Sequence, residues 1–400
     1  RIRDRTILSC LLYCSRLKMP LLVLAFGNPL MDISITLKDS SILTKYGLLD
    51  DDQRELDSEV IDAILQDVLP RPLYVCCRGA GDWRAAGSAL NSARVLAWCG
   101  GRVALAGAVG PRAPLAPILQ EIKLYKTGRC VCLVQGSKRS LVANIGAAFH
   151  FSLDFVQSSA ELQTLYTESS IVYVEGFFVT NRLPICLYLV ERLQNELDKL
   201  LAFNLSAVYM CESFTDDIEY MAEKADIVFA NSREYEALGR LRYGVETAEE
   251  CAMKLFELAR VKFLKDAPIE ETIIDRRGLK RFGKLLVVTQ DSDHVMLIWG
   301  KTKCNMDIVA VPFLNAEDIV DTTGAGDAFV GGFLHAFLKG RSPSTAARFA
   351  CRTAAAVIGR LGAEPPNRPP PSLEDFQDEV SGELTEPPSV FLDYKSTLRN

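Results

Sequence analysis

The middle of the chain carries the pattern that most restricts its fold, a repeated exchange of short apolar runs and longer amphipathic stretches. Residues 171–174, 201–204 and 227–230 are apolar runs too short for helices, while 184–200 and 216–224 carry apolar residues at helical spacing. Strand, helix and strand in that order place neighbouring strands parallel, because each crossover returns the chain to the same end of the sheet. Similar buried-strand runs occupy 21–26, 73–77, 103–108 and 285–288, and 57–68 reads as a helix. The predicted fold class is therefore α/β, with helices on both faces of a central, mainly parallel sheet. One region departs from the alternation. Residues 129–134 and 140–143 read as adjacent strands joined by the polar turn Gln135-Gly136-Ser137-Lys138-Arg139, which predicts a small β flap beside the main sheet.

Composition narrows the function. A chain of 400 residues, 48% hydrophobic and 24% charged, can bury a large core. Its net charge of -6 disfavours a nucleic-acid surface, which needs clustered excess Lys and Arg. No stretch approaches the roughly 20 apolar residues that cross a bilayer, so no membrane partner is expected. Twelve cysteines without a C-x-x-C pair, and three scattered histidines, fit buried reduced thiols in the cytoplasm better than a zinc frame or a disulfide scaffold.

Candidate chemistry gathers at Asp321-Thr322-Thr323-Gly324-Ala325-Gly326-Asp327. Small residues let an anion approach the backbone of Gly324, Ala325 and Gly326, and a helix beginning there adds unpaired N–H groups and the positive end of its dipole. Phe329, Phe333 and Phe337 give that helix a buried face, ending near Gly340 and Pro343. Asp327 then stands where a kinase needs a proton acceptor, or it simply caps the helix. Asn28 and Asp32 follow the first strand; they suit the vicinal hydroxyls of a sugar, or form an Asx turn. Ala86, Gly87 and Ser88 open a helix that carries Asn91, for close ligand approach or for packing alone. Asn231 and Glu234 end a strand, as holders of a metal's water shell or as a helix start. Arg139 is either a lid residue or a solvated one. The stretch 278–285 nearly matches a P-loop, but Leu285 replaces the metal-binding Ser or Thr and a strand follows; Gly324-x-Gly326 likewise lacks the dinucleotide fingerprint's third Gly.

Taken together, Gly27-Asn28-Pro29-Leu30-Met31-Asp32, Arg139 to Asn144, Gly176-Phe177-Phe178, Asn204-Leu205-Ser206-Ala207 and Asp321 to Phe333 resemble the ribokinase (PfkB-type) carbohydrate kinases, over residues 21–362. The likeness is strongest to the family's adenosine-phosphorylating branch. It implies a ribokinase-like three-layer α/β/α fold with a small β lid domain, ATP as co-substrate with Mg2+, adenosine as acceptor, and a monomer. Asp327 would be the base, with Gly324, Ala325 and Gly326 as anion hole and Arg139 reaching the transferring phosphate. Asp32 would bind the ribose hydroxyls, helped by Asn28, Gly87, Ser88 and Asn91. Leu141, Phe177 or Phe178, and Tyr209 would wall the purine. ATP would lie near Thr289, Gln290, Asp321 and Thr322, and Asn231 with Glu234 would position magnesium through water.

The same resemblance divides the chain into an extension at 1–19, a kinase domain at 20–363 with lid segments around 30–50 and 125–150, and a Pro-rich acidic tail at 364–400. Its compartment would be the cytoplasm, with the nucleus left open. Three departures from the family stand out: Ala86-Gly87 for a Gly-Gly pair, a shortened segment after Gly110, and Asp291 where the family has Gly.

Overall fold

The computed structural model describes residues 23–50, 52–69, 83–111, 119–135, 138–194, 196, 198–266, 282–360 and 362–377. Outside them lie the extension at 1–19, the expected strand at 73–77, the shortened segment at 112–118, the 267–281 part of the connector read at 262–284, and the tail beyond 377.

The strands are β1 (Val23–Phe26), β2 (Leu30–Thr36), β3 (Gln53–Glu55), β4 (Arg84–Ala86), β5 (Val103–Val109), β6 (Leu119–Glu121), β7 (Thr127–Gln135), β8 (Lys138–Gly146), β9 (Ile171–Glu175), β10 (Leu200–Asn204), β11 (Ile227–Asn231), β12 (Lys284–Gln290), β13 (His294–Gly300) and β14 (Asn305–Ala310). The helices are α1 (Ser41–Lys45), α2 (Ser58–Val68), α3 (Ser88–Trp98), α4 (Leu153–Ser158), α5 (Ala160–Glu168), α6 (Leu183–Gln194), α7 (Val208–Ser213), α8 (Thr215–Lys224), α9 (Ser232–Arg242), α10 (Ala248–Asp266), α11 (Ala325–Leu338) and α12 (Pro343–Ile358).

Nine strands form the main sheet in the order β14-β13-β12-β11-β10-β9-β1-β5-β6. From β12 through β6 every pairing is parallel, and β13 and β14 close the edge as an antiparallel hairpin. Period-two alternation explains the two apolar layers. Leu24 and Phe26 point into a core shared with α4 to α10, while Val23 and Ala25 face one built with α3, α11 and α12. The expected three layers follow from strands that must be apolar on both sides.

The second sheet, ordered β3-β8-β7-β2-β4, is the lid. It is larger than the segments 30–50 and 125–150, because β3, α2 and β4 belong to it. Ile61, Ile64 and Leu65, spaced one helical turn apart, bury against Ile33, Val131, Leu133 and Val142. Arg129 donates to Asp62 at 2.7 Å and pins α2 to the sheet. The second sheet thus has a core of its own.

Two other boundaries differ from expectation. The connector at 262–284 begins as the end of α10, and residues 364–377 of the expected tail pack onto the domain. Trp98 Nε1 donates to the Arg368 carbonyl at 2.8 Å, and Phe376 meets Phe349 edge-on at 5.5 Å. Aromatic contacts outweigh the prolines' resistance to regular structure.

Candidate active site

Gly324 is the N-cap of α11 with φ 75°, and a Cβ there would come within 2.3 Å of the Ala363 Cβ. Glycine is required by both conformation and space. Gly326, by contrast, has nothing within 4 Å of where a Cβ would stand, so the first turn of α11 is open to an approaching anion. Ala325 N–H donates to the Thr322 carbonyl at 3.1 Å, closing the turn.

Asp327 projects from that turn into a buried cradle. Its Oδ1 accepts from the Ser88 hydroxyl at 2.7 Å and its Oδ2 from the Asn91 amide at 2.9 Å. Burial raises its pKa against the lowering effect of these two hydrogen bonds. Neither Ser88 nor Asn91 is thus a free sugar ligand; both hold the carboxylate, and Asn91 Oδ1 remains without a partner. Ser88 and Asn91 lie one helical turn apart on α3, which is why both reach one carboxylate.

Asp32, on β2, lies in the same field. Burial and the nearby Asp327 charge push its pKa up to about 7 against the pull of Arg94, and its Oδ1 is buried without a protein partner. An orphaned carboxylate oxygen is a feature folding alone does not favour. Gly87 has φ 114°, and a Cβ on it would come within 2.1 Å of the Asn28 carbonyl oxygen. Close backbone approach therefore holds, but between two protein segments.

Asn28 corrects its expected role. Its side-chain oxygen accepts from Arg182 at 2.8 Å and its side-chain amide donates to the Phe177 carbonyl at 3.0 Å, so it is built into the framework. Phe178 is fully buried between Phe26 and Phe151 and walls no ligand surface. Phe177 is half-buried and stacks on Tyr209 at 6.1 Å, an aromatic pair with Leu141 half-buried on the lid.

Arg139, on β8, reaches Asp321 Oδ1 at 3.3 Å. Burial raises the Asp321 pKa, but hydrogen bonds from Thr323 and Gly362 and the Arg139 charge outweigh it and hold the group below its usual range. The lid and the anion turn are thereby in contact.

Asn231 and Glu234 form a capping box at the start of α9. Asn231 Oδ1 accepts from Glu234 N at 2.9 Å, and Glu234 accepts from Asn231 N at 3.0 Å and from the Asn231 side chain at 2.8 Å. Their polar groups serve each other, which is the helix-start reading of the pair. Among the described residues no group of three or more His, Cys, Asp or Glu is placed to hold a metal. Thr289 and Gln290 end β12, and Gln290 borders a cavity of about 550 Å³ with Ser232, Glu236, His294 and Met296. Asp291, beyond it, has φ 45°, the backbone region the family's Gly would take without strain.

Sequence reading missed Glu175, Arg182 and Arg94. The available signal for the first two was a lone Glu closing the apolar run of β9 and an Arg seven residues later.

The family model of pfkB carbohydrate kinases matches residues 81–369. Adenosine kinase 2 of Arabidopsis thaliana is 29% identical over 367 residues, covering 87% of this chain and 96% of that one. The adenosine kinase of Saccharomyces cerevisiae is 28% identical over 365 residues, covering 87% and 97%. Among solved structures, the adenosine kinase of Anopheles gambiae, crystallised with P1,P4-di(adenosine-5) tetraphosphate, aligns with a TM-score of 0.69 at 28% identity, over 85% of this chain and 96% of that one.

Proposed function

Since this chain belongs to the pfkB family of carbohydrate kinases, we propose that it is an adenosine kinase, transferring the γ-phosphoryl group of ATP to the 5'-hydroxyl of adenosine to give AMP and ADP. The observation that carries the reading is Asp327 in the first turn of α11, held by Ser88 and Asn91 beside an open helix N-terminus. Adenosine kinases from a plant, a yeast and a mosquito that match most of its length support it.

Asp32 receives the ribose hydroxyls on its unpartnered oxygen. Phe177, Tyr209 and Leu141 face the purine. Asp327, poised by two donors that leave its remaining lone pairs free, accepts the 5'-hydroxyl proton as the phosphoryl group moves; the loose transition state asks for placement more than for a strong base. The amides of Gly326 and Asp327 at the α11 terminus stabilise the transferring phosphoryl oxygens. Arg139 exchanges Asp321 for phosphate, and the lid's closure excludes water.

Magnesium enters as part of the MgATP substrate, which neutralises phosphate charge. This ion keeps several waters and takes few protein ligands, so carboxylates such as Glu234 would act on it through water. Each Glu234 oxygen accepts one bond from Asn231 and keeps a lone pair with which it would face such a water shell. We also propose that the enzyme works as a monomer. No helix among the described residues is long and apolar enough to cross a membrane.

Turnover of adenosine, inosine, ribose and fructose with MgATP tests the reading, with adenosine expected as the preferred acceptor. Asp327→Asn should lower kcat about a thousandfold with adenosine affinity retained. Ribose turnover without adenosine turnover would overturn the acceptor, and an active Asn variant would remove Asp327 as base.

A further inference from the structure

Two charged residues take no part in this scheme although they lie beneath it: Glu175 and Arg182, each 1% exposed. Glu175 closes β9 at the carboxyl edge of the sheet. Its Oε1 accepts from Asn28 N at 2.7 Å and its Oε2 accepts from Ala89 N, so one carboxylate joins the turn after β1 to the first turn of α3. The N-cap of α3 is Gly87, which has no side chain to cap its helix; the acceptor comes from Glu175 instead. Ala89 stands between Ser88 and Asn91, the two residues that hold Asp327.

The junction has no slack. A Cβ on Gly27 would come within 2.4 Å of the Ala89 Cβ and 2.8 Å of the Glu175 Cδ. Arg182 fixes the other side of the same turn: it donates to Asn28 Oδ1 and to the carbonyls of Ala148, Phe177 and Phe178, at 2.8 to 3.2 Å, and lies over the Phe178 ring. Burial drives the Glu175 pKa up to about 7 and that of Arg182 down to about 10, each opposed by the other's charge. Each buried charge is held by hydrogen bonds to the segments around it, which makes it a constraint on geometry.

We propose that Glu175 is a positioning residue for phosphoryl transfer: it fixes the first turn of α3 and so the Ser88 and Asn91 cradle that aims Asp327, while Arg182 ties the same turn to the purine wall and the lid's root. This inference deepens the kinase reading and rests on it. A misplacement of the base well under the length of a bond is enough to slow transfer without weakening the grip on the acceptor.

Glu175→Gln supplies the test, because the amide nitrogen cannot accept and one of the two backbone donors is left unpaired. kcat should fall about 30-fold while KM for adenosine stays within about threefold and the melting temperature within about 5 °C. Glu175→Asp, with both oxygens on a shorter arm, should recover part of kcat. Combining Glu175→Gln with Ser88→Ala should cost no more than about threefold beyond the worse single variant, since both act through one cradle. Multiplying losses, or a folded Gln variant with full kcat, would overturn the proposal. If the Gln variant fails to fold, the Asp variant decides, and full kcat there overturns it. A wild type inactive on every acceptor sinks the kinase reading and this one with it; an active wild type beside an unaltered Glu175→Gln sinks this one alone.

Discussion

Asp32 and Glu234 look alike in the sequence, each an acid just after an apolar strand run beside an Asn, and burial holds both near a pKa of about 7. Their surroundings separate them. Both Glu234 oxygens are taken by Asn231, whereas Asp32 keeps a buried oxygen with no protein partner. A carboxylate that satisfies itself locally is explained by the fold; one left unsatisfied is what the proposed ribose site would use.

The largest effect that sharpens this contrast is Asp32→Asn. Losing hydrogen bonds to a charged acceptor should weaken adenosine binding by about 2–3 kcal/mol, roughly 30- to 150-fold, read by calorimetry. A variant with wild-type affinity would break the comparison. Next comes pH. Ribose hydroxyls donating to Asp32 favour its ionised form, so the bound pKa falls below the free value of about 7. Wild-type affinity should then weaken up to about tenfold per unit as pH drops below that value, and the Asn variant should stay flat. Glu234→Ala should cost about 1–2 kcal/mol of stability through the lost capping-box bonds, seen in a denaturant melt, with kcat within about threefold; a collapse of kcat at normal stability would make Glu234 a magnesium group after all. The smallest change is Asp291→Gly, which relieves a φ of 45° and should stabilise the chain by about 1 kcal/mol in the same melt.

Much of the fold was legible because the parallel strands are buried on both faces, which leaves unbroken apolar runs such as 171–174 and 227–230 in the chain. The lid was only partly legible. β3 and β4 are three residues long and lack such a run, and their membership is decided by pairing with β8 and β2. At the site, Asp327 and the glycine turn were legible because helix termini and backbone clearance follow local rules. Asn28, Ser88 and Asn91 were read as sugar ligands, and the structure gives each a partner within the protein. Which acceptor an amide finds depends on residues far off in the chain, such as Arg182 for Asn28 and Asp327 for Asn91. Phe178 was separable from Phe177 only by the turn between them, which sends one ring inward and the other to Tyr209.

Asp321 carries a consequence beyond its ion pair. Its Oδ1 accepts from Arg139 and from Thr323 N, and its Oδ2 accepts from Gly362 N at 2.8 Å. Lid, phosphate turn and the segment after α12 therefore share one anchor. Two of these three donors are backbone amides, so the carboxylate would keep the turn fixed even if the Arg139 contact were exchanged for another anion: it is a mooring that can let one line go and keep the others taut.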